Sequence, residues 1–404
     1  MLAQERPQLR PYLEPVQDHK DPHHVLLVDR LGLSACPERL TVQEFHWLRL
    51  FDGVRNLRDI QSEAMRLAGG RLLPLENFAS LAERLNDALF LDGPLYRAVV
   101  DHPVRPPRCI GCYERHPAAL RRQLERQFTG PKAPGLPKVT KPDGGLRAAL
   151  IPHIDYPRGG QSYAWAFKEI VERSNASLFV IIGTSHYSNH RFTLTRKDFE
   201  TPLGIARTDQ DYIDRLVGHY GPGLFDDELM AHLPEHSIEL EVVFLQYLYE
   251  GIRPIRIVPL VVGSFFDCVQ AEEEPARQSD IAAMIEALRQ CDAETPEPIC
   301  YIISGDLAHL GPKFGDAKPV DESWVAHSRR QDEAILHHAE ALDLAGYFRV
   351  IVEECDSRRI CGLPPTYTLL QAIRPASGKL LHYDQYVHPK GHESVSFASI
   401  AYYQ

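Results

Sequence analysis

From about residue 146 onward, short apolar runs alternate with longer stretches whose apolar positions recur every three or four residues. LRAALIPHIDY, SLFVIIGTSHY, IRIVPLVVG and ICYIISGDLAHL are nearly continuous in Val, Ile, Leu and Ala, the pattern of strands covered on both faces. SYAWAFKEIVERS, DYIDRLVGHY, SIELEVVFLQYLYEG, DIAAMIEALRQC and DEAILHHAEALDLAGYF supply amphipathic helices. This order predicts an α/β domain over residues 146–404, a three-layer architecture with a mixed, largely parallel sheet and helices on both faces. The tail alternates more strictly: GKLLHYDQYV and SVSFASIAYY, separated by HPKGHE, predict late, partly antiparallel strands.

Residues 1–100 carry a different pattern. HHVLLVDRLGLS predicts a short hairpin, and TVQEFHWLRLFDG, RNLRDIQSEAMRLAG and LENFASLAERLNDALFL predict three helices. Gly53 and the pair Gly69 and Gly70 stop the first two. A hairpin with three short helices is a small winged-helix-like α+β module. Between the two patterned regions, residues 101–145 hold eight prolines and only PAALRRQLERQF at helical spacing. That segment reads as a proline-rich linker running into the start of the large domain.

Charge is unevenly placed as well: −2 over residues 1–100, +6 over 101–150 and −15 over 151–404, for a total of −11. Such a balance argues against a protein built to neutralise phosphates, so nucleic acid is not an expected partner. With 44% hydrophobic and 25% charged residues the chain has the composition of a folded protein. No apolar run approaches the roughly 18 residues of a membrane helix, and MLAQERPQLRPYLEP lacks the apolar core of a secretion signal. The expectation is a cytoplasmic protein with no membrane association, its eight Cys kept as free thiols.

Three apolar strands run into polar residues at the same relative place: Ile151 into Pro152-His153-Ile154-Asp155, Ile182 into Gly183-Thr184-Ser185-His186, and Ile303 into Ser304-Gly305-Asp306. Open α/β sheets bind ligands beyond the carboxyl ends of their strands, so His153, His186 and Asp306 are expected to converge. The 33 residues between the two His match one strand-helix-strand unit, close enough for two imidazoles to share an ion. A strand-end His taken singly is as readily a hydrogen-bonded structural residue. Cys361 precedes a helix whose first turn holds Pro364 and Pro365. There the helix terminus, with Arg358 and Arg359, would favour thiolate, although a small apolar Cys packed under a helix is the common alternative. His236, just before another amphipathic helix, suits a proton acceptor or donor, or else a helix cap answered by Glu239. His309, three residues after Asp306, either donates to a bound oxygen or supports the ligands.

Residues from about Arg108 to Gln404 resemble the Memo family, itself similar to the class III extradiol ring-cleaving dioxygenases. IPHIDY, the GTSHY segment, EHSIE, the SGDLAH segment and RICGLPP carry the resemblance, in that order. It implies that His153, His186 and Cys361 hold a redox-active metal, Fe(II) or alternatively Cu, and that His236 stands where the dioxygenase relatives keep their catalytic base. Asp306 and His309 would then tune oxygen-derived species, in a redox enzyme acting on an aromatic or peptide-derived small molecule. A peptide- or metal-binding scaffold is the alternative. Two departures stand out. Asp155 adds a carboxylate where family members often have PHAGY, and Cys109 with Cys112 makes a C-x-x-C pair, open to a redox or metal role but without the second pair of a closed zinc site. Residues 22–93 resemble PqqD-like modules, which bind leader segments of precursor peptides; bacterial Memo-like proteins often accompany a radical S-adenosylmethionine enzyme, so such a partner is implied.

Overall fold

In the computed structural model the described residues are 6–138, 142 and 144–404; the first five residues of the opening stretch, and 139–141 and 143 of the proline-rich segment, lie outside them. The chain divides into two compact units, residues 1–103 and 104–404. Among the described residues no helix is long and apolar enough to cross a membrane.

The smaller unit has an antiparallel sheet of β1 (Leu13–Gln17), β2 (His24–Asp29) and β3 (Glu38–Thr41) in that order, followed by α1 (Val42–Leu48), α2 (Leu57–Leu67), α3 (Leu75–Asp87) and α4 (Pro94–Val100). Capping boxes start two helices, Thr41 with Glu44 on α1 and Asn56 with Asp59 on α2, supplying partners for N–H groups that the first turn leaves open. Leu27, Leu40, Trp47, Ile60, Phe78, Leu81 and Leu85 form its core. The expected hairpin within HHVLLVDRLGLS is instead a single strand, β2, paired to β1 upstream and β3 downstream. Asp29 explains the difference: its carboxylate accepts from the backbone of Leu31, Leu33 and Ser34 and pairs with buried Arg10, which folds RLGLS into a turn.

The larger unit begins inside the proline-rich segment. Val104–Arg105 form β4, and Pro117–Thr129 form α5, with Pro at the first helical position. Then come β5 (Leu146–Ile151), α6 (Tyr156–Arg173), β6 (Leu178–Thr184), β7 (Phe192–Leu194), β8 (Asp198–Thr201), β9 (Gly204–Thr208), α7 (Gln210–Tyr220), α8 (Glu228–His232) and α9 (Glu239–Tyr249). The remainder is β10 (Arg256–Val262), α10 (Phe266–Ala271), α11 (Ser279–Glu294), β11 (Ile299–Ser304), β12 (His309–Leu310), α12 (Glu322–Glu340), α13 (Leu344–Glu353), α14 (Leu363–Ile373), β13 (Ser377–Val387) and β14 (Ser394–Tyr403). The run DEAILHHAEALDLAGYF is two helices. Leu342 takes a positive φ between them, and Asp343 caps α13.

One 11-stranded sheet runs β12-β14-β5-β11-β6-β10-β9-β8-β4, with β13 added to β14 and β7 to β10. Its centre is parallel: β11 pairs with both β5 and β6, and β10 with β6. The late strands β13 and β14 are antiparallel, as the alternating tail predicts. Alternate residues of β6 face opposite layers. Leu178, Val180 and Ile182 join a core with α7, α11, α12, α13 and α14, while Phe179 and Ile181 join one with α5, α6 and α9. The sheet is therefore buried on both faces, which is why its central strands read as unbroken apolar runs.

Candidate metal centre

Register places the three polar strand ends at one level. Ser304 of β11 lies opposite Ile151 of β5 on one side and Gly183 of β6 on the other. Two residues past Ile151 comes His153, two past Ser304 comes Asp306, and three past Gly183 comes His186. The histidine-bearing strands are not neighbours: β11 lies between them and brings Asp306 to the same level, its carboxylate 3.8 Å from His153 Nε2. A third imidazole enters from the loop before α9. Ring centroids are 5.0 Å apart for His153 and His186, 5.1 Å for His153 and His236, and 4.8 Å for His186 and His236. One ring nitrogen from each lies within 4.8 Å of the others, spacing at which one ion could accept all three.

Glu235 aims two of these rings. Its buried carboxylate accepts backbone N–H bonds from His186 at 2.8 Å, His236 at 2.8 Å and Ser237 at 3.0 Å. It also meets Nδ1 of His186 at 3.0 Å and Nδ1 of His236 at 3.1 Å. An ionised carboxylate only accepts, so both Nδ1 atoms carry hydrogen and both Nε2 atoms are left for a ligand. Burial alone would raise the Glu235 carboxyl, but the facing imidazoles hold it well below its ordinary value. His186 shows the counterpart: burial pulls its pKa down, and Glu235 with Cys361 outweighs that and raises it well above the usual range, so its Nε2 also holds a proton that a metal would have to displace. Burial, and then the other two rings, push His153 well down, so it is a neutral donor.

Glu235 is held in turn from β4. The buried Arg105 guanidinium donates to the carbonyls of His232 at 2.7 Å, Leu233 at 3.2 Å and Glu235 at 2.6 Å, and pairs with buried Glu239. Glu239 is thus engaged elsewhere and does not answer His236 as a capping partner; α9 starts without a side-chain cap. Gly183 permits the close fit, because a Cβ there would meet Ser237 Oγ at 2.5 Å.

Cys361 arrives from the loop before α14. Its Sγ lies 3.3 Å from His153 Nε2 and 3.6 Å from the Asp306 carbonyl. Two glycines make this approach possible: a Cβ on Gly305 would meet Gly362 Cα at 2.5 Å, and one on Gly362 would meet the Asp306 carbonyl oxygen at 2.7 Å. The expected electrostatic activation of the thiol is not found. Burial raises its pKa, partly offset by His186. Arg358 turns away to Asp332 and Glu354, and Arg359 to Asp316.

Asp306 accepts the His153 N–H at 3.0 Å, and burial pushes its carboxyl up to about 7. His309 bonds through Nδ1 to the carbonyls of Leu307 and Arg359, each at 3.1 Å, and burial lowers it to about 4. It is therefore neutral near pH 7 with hydrogen on Nδ1, which leaves Nε2 as an acceptor. Asp155 caps α6 by accepting from the Arg158 N–H and pairs with Arg158 at 2.9 Å. These groups line a cleft of about 720 Å³ with His236, Lys313 and Phe314. Another depression, of about 610 Å³, lies where the strands begin; its Arg147 and Asp292 neutralise each other, and among the described residues no imidazole or thiol lines it.

The structure thus gathers His153, His186, His236, Asp306, His309 and Cys361 in one cleft. Sequence reasoning missed Glu235 and Arg105. Glu235 lies inside EHSIE and left one trace, an acid beside a candidate ligand; Arg105, in a proline-rich basic stretch, left none.

The family model for Memo-like protein matches residues 105–401. A MEMO1 family protein of Aquifex aeolicus is 26% identical over 392 residues, covering 93% of this chain and 95% of its own. That alignment is longer than the larger unit, so it extends into the smaller one. A MEMO1 family protein of Methanopyrus kandleri is 28% identical over 286 residues, 69% of this chain and 91% of its own, and one of Methanothermobacter thermautotrophicus is 29% identical over 275 residues, 67% and 88%.

Proposed function

The chain belongs to the Memo-like protein family, and from that premise we propose that its larger unit is a non-haem metalloenzyme in which His153, His186 and His236 hold one redox-active ion, iron(II) or alternatively copper, beside Cys361. The observation that carries this reading is the convergence of three imidazoles from three separate segments, two of them turned by one buried carboxylate. A donor set of imidazole nitrogens with a nearby sulfur suits these metals and not magnesium or calcium. Such an ion, when bound, supplies oxygen and electron-transfer chemistry.

The chain's own residues do the rest. His236 serves as a ligand in this reading, in place of the proton acceptor that the resemblance implies. Proton handling falls to Asp306, whose carboxyl burial raises to about 7, and to His309 through its Nε2. Phe314 and Tyr187 give the cleft apolar surface for a small aromatic or peptide-derived substrate. The smaller unit is proposed to act as a PqqD-like peptide reader, since β1 and β3 are sheet edges that an extended peptide could join, in a cytoplasmic system with a radical S-adenosylmethionine enzyme.

Metal content tests the assignment. Wild-type protein loaded anaerobically with Fe(II) is expected to retain about one ion per chain, and His186→Ala to lose it; unchanged metal content in the variant would falsify the site. Oxygen uptake with catechol or a peptide as probe then separates the readings. Consumption that depends on the probe supports an enzyme, and peptide binding that persists without metal and without oxygen uptake supports the scaffold.

A further inference from the structure

The metal reading leaves one chemically competent pair unused. Cys109 and Cys112 lie in the wall of the same cleft as the three imidazoles. They occupy the first and fourth positions of a tight turn, closed by the Cys112 N–H donating to the Cys109 carbonyl at 2.9 Å. Gly111 supplies the positive φ of 114° that the turn requires, and a Cβ there would touch nothing within 4 Å, so the turn opens outward. A hydrogen-bonded turn brings its end Cα atoms within about 7 Å, the range a disulfide spans. Both thiols are free.

The turn is tied at each end to a loop carrying a candidate ligand. The Cys109 N–H donates to Glu239 at 2.9 Å, and its Sγ lies 3.9 Å from the carbonyl of Glu235. The Cys112 carbonyl accepts the Tyr156 N–H at 3.1 Å, three residues beyond His153. A change of bonding at the sulfurs therefore pulls on the His153 loop and the Glu235–His236 loop together.

We propose that Cys109 and Cys112 form a reversible dithiol–disulfide site that exchanges with low-molecular-weight disulfides and adjusts the two ligand-bearing loops. In the reaction Cys112, the more exposed of the two, loses its proton and its Sγ attacks one sulfur of the small disulfide. This makes a mixed disulfide and expels one small thiolate, which takes up a proton. Cys109 then loses its proton and attacks the Cys112 sulfur, closing the protein disulfide and releasing the second small thiol. Two protein thiols are oxidised and one small disulfide is reduced to two thiols, so electrons and protons balance. Burial and the nearby Glu239 raise the Cys109 thiol, and burial and then Asp155 raise that of Cys112. Disfavoured thiolates make attack slow and the pair reducing.

The site stands on the thiol pair and is tested without metal. Full-length protein is equilibrated in oxidised and reduced glutathione buffers, remaining thiols are alkylated, and peptides are analysed by mass. The expected result is a Cys109–Cys112 crosslink lacking two hydrogens, reversed by excess reduced glutathione. Cys112→Ser should show no crosslink and no trapped glutathione at Cys109. Hydrogen exchange should change on oxidation at residues 153–156 and 234–239 in the wild type alone. Persistent free thiols at both positions in strongly oxidising buffer overturn the proposal, as does a glutathione adduct at Cys112 that Cys109 never displaces. A crosslink with unaltered exchange in both loops overturns the coupling.

Discussion

Replacing Glu235 with Gln probes how the imidazoles are held. In the wild type one carboxylate oxygen takes the His236 and Ser237 N–H groups and the His236 Nδ1, the other takes the His186 N–H at 2.8 Å, and the His186 Nδ1 is shared between them at 3.0 and 3.1 Å. An amide keeps only one acceptor. If its oxygen stays with the crowded cluster, its NH₂ faces the His186 N–H, donor against donor. Stranding a buried donor costs about 1–3 kcal/mol. Bonds to a neutral oxygen are also roughly half as strong as those to a carboxylate, so both rings loosen. Loss of such an orienting partner lowers metal affinity about 10–100-fold, or about 1.4–2.8 kcal/mol at about 1.4 kcal/mol per decade. Competition between the protein and a chromophoric chelator for Co(II), which is slow to oxidise, measures the affinity. Urea unfolding without metal should show a stability loss of about 1–3 kcal/mol. A variant that binds Co(II) within about twofold of the wild type would refute the orienting role.

Two further expectations concern the support of the site and its pH response. Arg105→Met leaves the buried Glu239 carboxylate without its counter-charge and frees three carbonyls, so urea unfolding should show a loss of about 3–5 kcal/mol; a loss under about 1 kcal/mol would mean the guanidinium does not anchor the Glu235 loop. Burial pushes the Asp356 carboxyl from 3.8 to about 6, against the bond it accepts from the Ile360 N–H. The folded chain holds that proton more tightly than the unfolded one, so this group's favourable contribution is complete below pH 3.8 and declines as pH rises through about 6. Asp356→Asn should flatten the stability profile across that interval, and parallel profiles for variant and wild type would exclude the effect.

The central strands and the convergence at their ends were legible because burial on both faces writes itself as unbroken apolar runs, and polar residues that interrupt such runs need a reason. Strands β7, β8 and β9 escaped because three to five residues with polar interruptions look like loop. The turn that ends the single strand within HHVLLVDRLGLS is hidden in the sequence because Asp29 makes it through side-chain bonds that composition does not reveal. Order around β11 was hidden as well, since chain sequence does not say which strand is inserted between which. The thiol of Cys361 is a related case: neighbouring arginines in the sequence, Arg358 and Arg359, send their charge to acids on other segments, so their pull toward thiolate is lost.

Insertion of β11 between β5 and β6 has a consequence for assembly. Of the four central strands β11 is made last, after both histidine-bearing strands and the loop of His236 have left the ribosome. Without it, β5 and β6 have no shared partner to fix their spacing, and the imidazoles they present have no common centre. A ligand that needs all three rings recognises only the finished sheet. By linkage it would add about 2.7 kcal/mol of stability at a concentration one hundred times its dissociation constant, about 1.4 kcal/mol for each tenfold in excess, less whatever it gains from single His and Cys of the unfolded chain.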